Sequence, residues 1–273
     1  MIRKLRPLLF CLCFALALLP LRGSVQAQPD LGAIVRIDVL DGGQQSDGTH
    51  LAALRLTLAD GWKTYWRAPG DAGIPPLFDW TGSRNVQSVA ISWPTPKVFY
   101  QSGMRSVGYS PEVVLPLRIA AGRPGADIRL QGTVDLGVCK DICVPQSLAL
   151  DAVLPAATTR TDPVIAAAMA DRPFSAAEAG VRSVKCSIGQ SKDGMTLRAE
   201  IDMPTRGQVH TVVETANPQV WVAEPVTSQA EGRIVTETRL AHMDGRAFAL
   251  DRSGLRITVL GDGQAVDIHG CDR

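Results

Sequence analysis

The sequence has little excess charge of either sign. Its 273 residues include 28 Lys and Arg and 27 Asp and Glu, a formal net charge of +1 at pH 7. This balance gives no electrostatic footprint for nucleic acid or for an anionic membrane surface, so neither is an expected partner. Histidine is also scarce, and the four residues show no metal-ligand spacing, so no metal site is expected. They are His50, His210, His242 and His269.

The chain also lacks the motifs of the common enzyme classes. No Ser-His-Asp arrangement, Gly-rich phosphate loop or paired carboxylate motif is discernible, and we expect no cofactor. Beyond the N-terminal leader, no segment approaches the ~18 consecutive apolar residues of a membrane span. Stable membrane insertion is therefore not expected.

Aromatic residues make up only 5% of the chain, and several lie close together. Trp62, Tyr65 and Trp66 precede the loop residues Pro69 and Gly70. A carbohydrate-binding platform is one interpretation, but aromatic residues in small β-domains usually pack in or near the core. We interpret this group as packing at the end of a β-sandwich.

The N-terminus has the pattern of a secretory signal peptide. Basic residues at Arg3, Lys4 and Arg6 precede the apolar segment 8–19, and small residues follow up to Ala27. The apolar segment has roughly 12 residues, fewer than the ~20 that a spanning helix requires. We therefore predict residues 1–27 as a leader cleaved after Ala27 and the rest of the chain as exported.

Four cysteines follow the leader: Cys139, Cys143, Cys186 and Cys271. An even number in an oxidising compartment favours disulfides. We predict a structural disulfide between Cys186 and Cys271, because it would enclose about 85 residues and gain roughly 4 kcal/mol in the chain-entropy model. The alternatives are a redox-active long-range bond and a free Cys271 used for intermolecular pairing.

The pair Cys139 and Cys143 differs, because a three-residue separation encloses too short a loop for a large entropic gain. If residues 140–142 form a hairpin loop, the cysteines face each other across paired strands, with Cβ atoms about 4.5–5.5 Å apart. A disulfide requires about 3.5–4.5 Å, so the bond is feasible. The pair is predicted as the catalytic site of thiol–disulfide exchange; a permanent structural bond and a metal thiolate site are the alternatives.

Two sets of short alternating segments, separated by Gly, Pro, Asp and Asn clusters, predict an all-β chain with two β-sandwich domains. Between them, Asp162 and Pro163 have the pattern of a helix cap and first turn. We predict a first domain at 28–155, a linker with a short helix at 156–180, and a second domain at 181–273.

Three motifs together resemble one protein family. They are GWKTYWRAPGDAGIPPLFDW at 61–80, WPTPKVFYQSGMRSVGY at 93–109 and VCKDICVP at 138–145. They resemble the periplasmic N-terminal domain of the DsbD and ScsB thiol:disulfide reductases, and the cysteine spacing is more similar to ScsB. The resemblance implies two tandem immunoglobulin-like domains in the periplasm.

The resemblance further implies an electron relay that exchanges disulfides with thioredoxin-like proteins, as a protein-disulfide reductase component. Cys143 would form the mixed disulfides and Cys139 would resolve them. A cap loop would shield the sulfurs; the segment 97–108 occupies its place, with Phe99 or Tyr100 as the covering ring. The membrane-spanning relay of the family is missing from this sequence, so electrons are expected from a separate protein, such as a membrane electron-transfer protein.

Two other functions remain open from the sequence. One is a non-catalytic β-sandwich binding module in which both disulfides merely stabilise the fold. The other is a Cu(I)-handling copper-tolerance protein, since the reduced cysteines 139 and 143 would offer two soft thiolate ligands.

Overall fold

The computed structural model describes residues 34–160, 162–192, 194–205 and 207–272. The predicted leader at 1–27 and its cleavage site lie outside these ranges. Within them, the chain forms nineteen strands and one short helix. The prediction of an all-β fold is therefore confirmed.

Ten strands precede the helix: β1 (Val35–Gln44), β2 (His50–Leu58), β3 (Lys63–Tyr65), β4 (Leu77–Asp79), β5 (Val86–Ile91), β6 (Lys97–Gln101), β7 (Met104–Tyr109), β8 (Glu112–Ala121), β9 (Ile128–Cys139) and β10 (Cys143–Leu154). One antiparallel sheet has the order β1-β2-β8-β5. The other has the order β10-β9-β3-β7-β6, and β4 also pairs with β9. These two sheets, the first sheet pair, pack on a common hydrophobic core.

Strand β9 shows how the sequence builds this core. Leu130, Val134 and Val138 are buried and point into it, whereas Asp135, between them, is exposed on the outer face. This alternation follows from the two-residue period of a strand. Cys139 is an exception, because it lies on the outer face and is nevertheless buried.

The helix, α1 (Pro163–Ala170), begins where the sequence predicts it. The side chain of Asp162 accepts a hydrogen bond from the Val164 amide at 2.7 Å, and Pro163 occupies the first turn. Ile165 is fully buried in a small cluster on the outer face of the β1-β2-β8-β5 sheet. The helix of the predicted linker is therefore packed against the first sheet pair.

The remaining strands are β11 (Phe174–Ser175), β12 (Ser183–Ser191), β13 (Gly194–Asp202), β14 (Val209–Thr215), β15 (Val220–Val222), β16 (Val226–Ala230), β17 (Arg233–His242), β18 (Leu255–Gly261) and β19 (Gln264–His269). They form two sheets, β11-β19-β18-β14 and β12-β13-β17-β15, and β16 also pairs with β17. This second sheet pair has its own core. Because β11 pairs with β19, residues 174–175 of the predicted linker belong to the second pair.

Both sheet pairs belong to one compact unit, Leu31–Arg273. Arg67 binds Glu214 through two hydrogen bonds of 3.1 and 2.9 Å, and Arg105 lies 3.0 Å from Glu224. Three apolar residues of the second pair also join the first core: Val212, Leu260 and Ala265. No helix in the described ranges has the length and apolar character needed to cross a membrane.

Candidate functional site

The hairpin β9–β10 carries the two cysteines at its end. Cys139 is the last residue of β9, Cys143 is the first of β10, and the two are direct partners in the register. Residues 140–142 form the connecting loop, as the sequence predicts. The cysteines are joined by a disulfide with a Cα–Cα distance of 4.1 Å.

The two sulfurs differ in their access to solvent. Cys139 is 1% exposed, whereas Cys143 is exposed on the edge strand β10. In thiol–disulfide exchange the attacking thiolate must reach one sulfur, and the other sulfur leaves as a thiolate. Of the two cysteines, Cys143 is therefore the more accessible to a partner.

Strand β3 lies on the other side of β9 and supplies the surroundings of the disulfide. Thr64 and Trp66 point to the interior: Trp66 is fully buried in the core, and the Thr64 hydroxyl donates to the Gly137 carbonyl at 3.0 Å. Because side chains alternate along a strand, Lys63 and Tyr65 lie on the opposite face, with the cysteines. The segment KTYWR thus connects the core with the candidate site.

Tyr65 is the aromatic residue that meets the sulfurs. Its hydroxyl oxygen lies 2.7 Å from Cys139 Sγ and 3.3 Å from Cys143 Sγ, and it also donates to the Ala72 carbonyl at 3.3 Å. A Cβ at Gly137 would come within 3.2 Å of the Tyr65 ring, so the glycine leaves room for it. Burial raises the pKa of Tyr65, so the hydroxyl keeps its proton and acts as a donor.

Lys63 lies directly opposite Cys139 in the register of β3 and β9. Its side chain is buried, and its Nζ donates to Gln101 Oε1 at 3.1 Å and to Ser106 Oγ at 3.3 Å. The ammonium also lies 5.3 Å from the centre of the Phe99 ring. Burial lowers the pKa of Lys63.

The predicted cap segment is a hairpin of β6 and β7. Near its tip, the Gln101 Nε2 donates to the Lys140 carbonyl, in the cysteine loop, at 2.5 Å. Phe99 lies on the same face as Lys63, whereas the Tyr100 ring contacts His210 of the second sheet pair. The hairpin therefore reaches the cysteine loop through Gln101.

Comparison with known proteins finds a family similar to the first sheet pair. Residues 37–155 match the family described as thiol:disulfide interchange protein DsbD, N-terminal. The match covers less than half of the chain and shows what these residues are similar to. The matched range contains both cysteines, Tyr65 and Lys63.

A likeness to one solved structure extends over both sheet pairs. The crystal structure of the N-terminal periplasmic domain of ScsB from Proteus mirabilis matches with a TM-score of 0.67 and 21% identity, covering 90% of this chain and 96% of that chain. At this identity the match establishes a shared fold. A marsupial T cell receptor, 9% identical over 86% of this chain and 94% of that chain, has a TM-score of 0.18, too low to support an argument. No curated protein sequence matches the chain.

Sequence reasoning missed three residues around the disulfide of the first sheet pair: Lys63, Tyr65 and Gln101. Tyr65 was interpreted as a packing residue, and the structure places it against the sulfurs. Shielding of the sulfurs by Phe99 or Tyr100 stays a prediction. The available signal was the spacing of Lys63 and Tyr65, which puts both on one face of a strand.

The second disulfide joins Cys186, in β12, to Cys271, beyond β19. Cys186 is 3% exposed and lies in the second core. Backbone hydrogen bonds from Cys186 to Asp272 and from Asp272 to Val184 flank the bond. This bond joins β12 to the segment that follows β19. Cys186 is buried, in contrast to the exposed Cys143.

The described ranges contain no group of three or more His, Cys, Asp and Glu residues placed to hold a metal ion. The pair Cys139 and Cys143 is engaged in its disulfide. No specific contact in the described structure favours a Cu(I) site over the redox pair.

Proposed function

We propose that this chain is a periplasmic thiol:disulfide interchange protein that passes reducing equivalents through Cys139 and Cys143. Its partners are thioredoxin-like proteins, which donate electrons to the pair or accept them from it. The match of residues 37–155 to the DsbD N-terminal family supports this role. The periplasmic assignment is supported by the predicted leader and by the likeness to the periplasmic domain of ScsB.

One observation carries the proposal: an exposed cysteine, Cys143, is bonded to a buried one, Cys139, beside the loop of a hairpin. A disulfide that served only stability would gain little from so short a loop. The exposed Cys143 is instead placed to be attacked, and the buried Cys139 is held beside the hydroxyl of Tyr65.

The exchange proceeds in two substitutions at sulfur. A partner thiolate attacks Cys143 Sγ, a partner–Cys143 disulfide forms, and the electron pair of the broken bond leaves with Cys139 as a thiolate. Tyr65 donates a hydrogen bond to this thiolate. The second thiolate of the partner then attacks its own bonded sulfur and releases Cys143, so the partner dithiol is oxidised and the pair is reduced; the reverse sequence reduces an acceptor.

We further propose that the two sheet pairs are tandem immunoglobulin-like domains, with the boundaries 28–155, 156–180 and 181–273. Two sheets packed on each core and a fold shared with the ScsB domain support this assignment. The first domain holds the redox pair. The second, through Arg67–Glu214 and Arg105–Glu224, holds the back of β3 and β7 in place.

Single-cysteine variants of the full chain test the proposed exchange. Thioredoxin that retains only its nucleophilic cysteine is prepared as the mixed disulfide with thionitrobenzoate. The Cys143 thiolate in the Cys139→Ala variant should attack it and release coloured thionitrobenzoate. Because Cys139 is buried, the Cys143→Ala variant should react at least about tenfold more slowly.

Equal rates in the two variants would contradict the assignment of Cys143 as the attacked sulfur. If neither variant formed a covalent complex with thioredoxin, the interchange function would fail and the chain would be a binding module with structural disulfides. The Cys186–Cys271 bond serves as an internal control, since it should remain intact in both.

A further inference from the structure

We propose that the Lys63 ammonium is the counter-charge for the Cys139 thiolate when the 139–143 disulfide opens. This inference rests on the proposed function and assigns one residue a part in it. Lys63 would stabilise the leaving thiolate during exchange and the reduced state after it.

The sheet register places Lys63 for this role. Cys143, Cys139 and Lys63 are consecutive partners across β10, β9 and β3. Direct partners in antiparallel strands point to the same face, with Cβ atoms about 4.5–5.5 Å apart. The stem of Lys63 therefore lies beside Cys139, on the side opposite Cys143.

The Lys63 ammonium is a buried cation whose hydrogen-bond partners are neutral. The side chain is 9% exposed, and its Nζ donates to Gln101 Oε1 and Ser106 Oγ. In the described structure no carboxylate forms an ion pair with it, and burial lowers the pKa of Lys63. Burying a charge without a counter-ion is costly, so such a site is suited to an anion that forms transiently.

Other titratable groups near Cys139 are less suited to this role. Lys140 is exposed, and its ammonium donates to the Asp60 carbonyl at 3.1 Å. Asp141 is exposed in the hairpin loop and its charge opposes a thiolate. Tyr65, whose pKa is raised by burial, supplies a hydrogen bond but no charge. Lys63 is the buried cation of this group.

The proposed role of Lys63 adds no electron or proton transfer to the exchange of the disulfide with a partner thiolate. When a partner thiolate bonds to Cys143, the S–S electron pair moves to Cys139 and a negative charge appears beside Lys63. The ammonium keeps its proton and offsets that charge, so the step needs no further reactant. A nearby cation lowers the pKa of a thiol and makes it a better leaving group.

Titration of Cys139 in the full chain tests the inference directly. In the Cys143→Ala background, the ultraviolet absorbance of the thiolate gives the Cys139 pKa. Lys63→Gln retains groups that bond to Gln101 and Ser106 but removes the charge, and should raise this pKa by about one unit, a tenfold loss of thiolate at a fixed pH. Lys63→Arg should keep the pKa low, and Lys185→Gln, an exposed charge loss in the second sheet pair, should leave it unchanged.

A second variant keeps the test decisive if Lys63→Gln does not fold. Gln101→Glu retains Lys63 and places a carboxylate where Oε1 now accepts from Nζ at 3.1 Å. It should neutralise the ammonium and also raise the Cys139 pKa. In the two-cysteine protein, either variant should shift the equilibrium with glutathione about tenfold towards the disulfide, equal to about 30 mV for a two-electron couple.

An unchanged Cys139 pKa and glutathione equilibrium in folded Lys63→Gln or Gln101→Glu would overturn the role of Lys63. The proposed function would survive that result if the original pair still exchanged with thioredoxin. Loss of exchange in the original protein would instead refute the function itself, so the two failures are distinguishable.

Discussion

At the scale of single residues, chemistry at the disulfide depends on side chains that come from distant parts of the chain. Tyr65 is separated from Cys139 by 74 positions, yet its hydroxyl reaches both sulfurs. The cysteine pair was predictable, because its geometry follows from one hairpin. The role of Tyr65 was not predictable. The pattern of a strand indicates which face of the sheet a side chain lies on, but not which distant residue it contacts there.

We expect Tyr65→Phe to slow reduction of the 139–143 bond by thioredoxin. A hydrogen bond to a charged group contributes about 1.5–3 kcal/mol, which corresponds to about tenfold to a hundredfold in rate. Stopped-flow fluorescence of thioredoxin oxidation measures it. Tyr109→Phe is the matched control, because this buried hydroxyl donates to the Pro94 carbonyl. Equal rates in Tyr65→Phe and the original protein would exclude Tyr65 from the exchange step.

At the scale of elements, strand length decided what the sequence revealed. In the long strand β13, apolar residues alternate with polar ones from Met195 to Asp202, so the sequence shows the two-residue period of a strand. The three-residue strands β3 and β4 were missed, since so short a segment has no measurable period and both lie among Gly and Pro. The hairpin β6–β7 was treated as a loop, although its two strands pair from Lys97 with Gly108 to Gln101 with Met104.

The contact at the tip of the β6–β7 hairpin gives a prediction for this element. Gln101→Ala removes the hydrogen bond to the Lys140 carbonyl, which ties the hairpin to the cysteine loop. The hairpin should then separate from the loop more often, and alkylation of reduced Cys143 by iodoacetamide should be several-fold faster, as measured by mass spectrometry. Gln190→Ala, exposed in the second sheet pair, is the control. An alkylation rate equal to that of the control would show that this contact does not limit access.

At the scale of the whole molecule, the second sheet pair supports the strand that carries Tyr65. Arg67 lies two residues beyond the end of β3. Its guanidinium stacks on Trp66 at 3.9 Å and forms two hydrogen bonds with Glu214. Burial lowers the pKa of Arg67 and the pairing with Glu214 opposes that shift. The sequence predicted two sandwiches but not this junction, because long-range charge pairs leave no local pattern.

We therefore expect Arg67→Met to destabilise the protein by about 2–4 kcal/mol, because it leaves Glu214 without its partner in a mostly buried contact. Chemical denaturation measures the loss. Arg182→Met breaks the exposed pair with Asp202 and should cost much less stability, because solvent screens an exposed ion pair. A loss no larger than that of Arg182→Met would mean that the two sheet pairs do not depend on this contact.

The central claim is that the 139–143 disulfide opens and closes while the rest of the fold stays intact. A redox titration of the full chain with thioredoxin, followed by thiol labelling and mass spectrometry, tests it most directly, with circular dichroism to monitor the fold. We predict that Cys139 and Cys143 become labelled while Cys186 and Cys271 remain bonded and the spectrum is unchanged. Equal resistance of both disulfides until the protein unfolds would contradict the account.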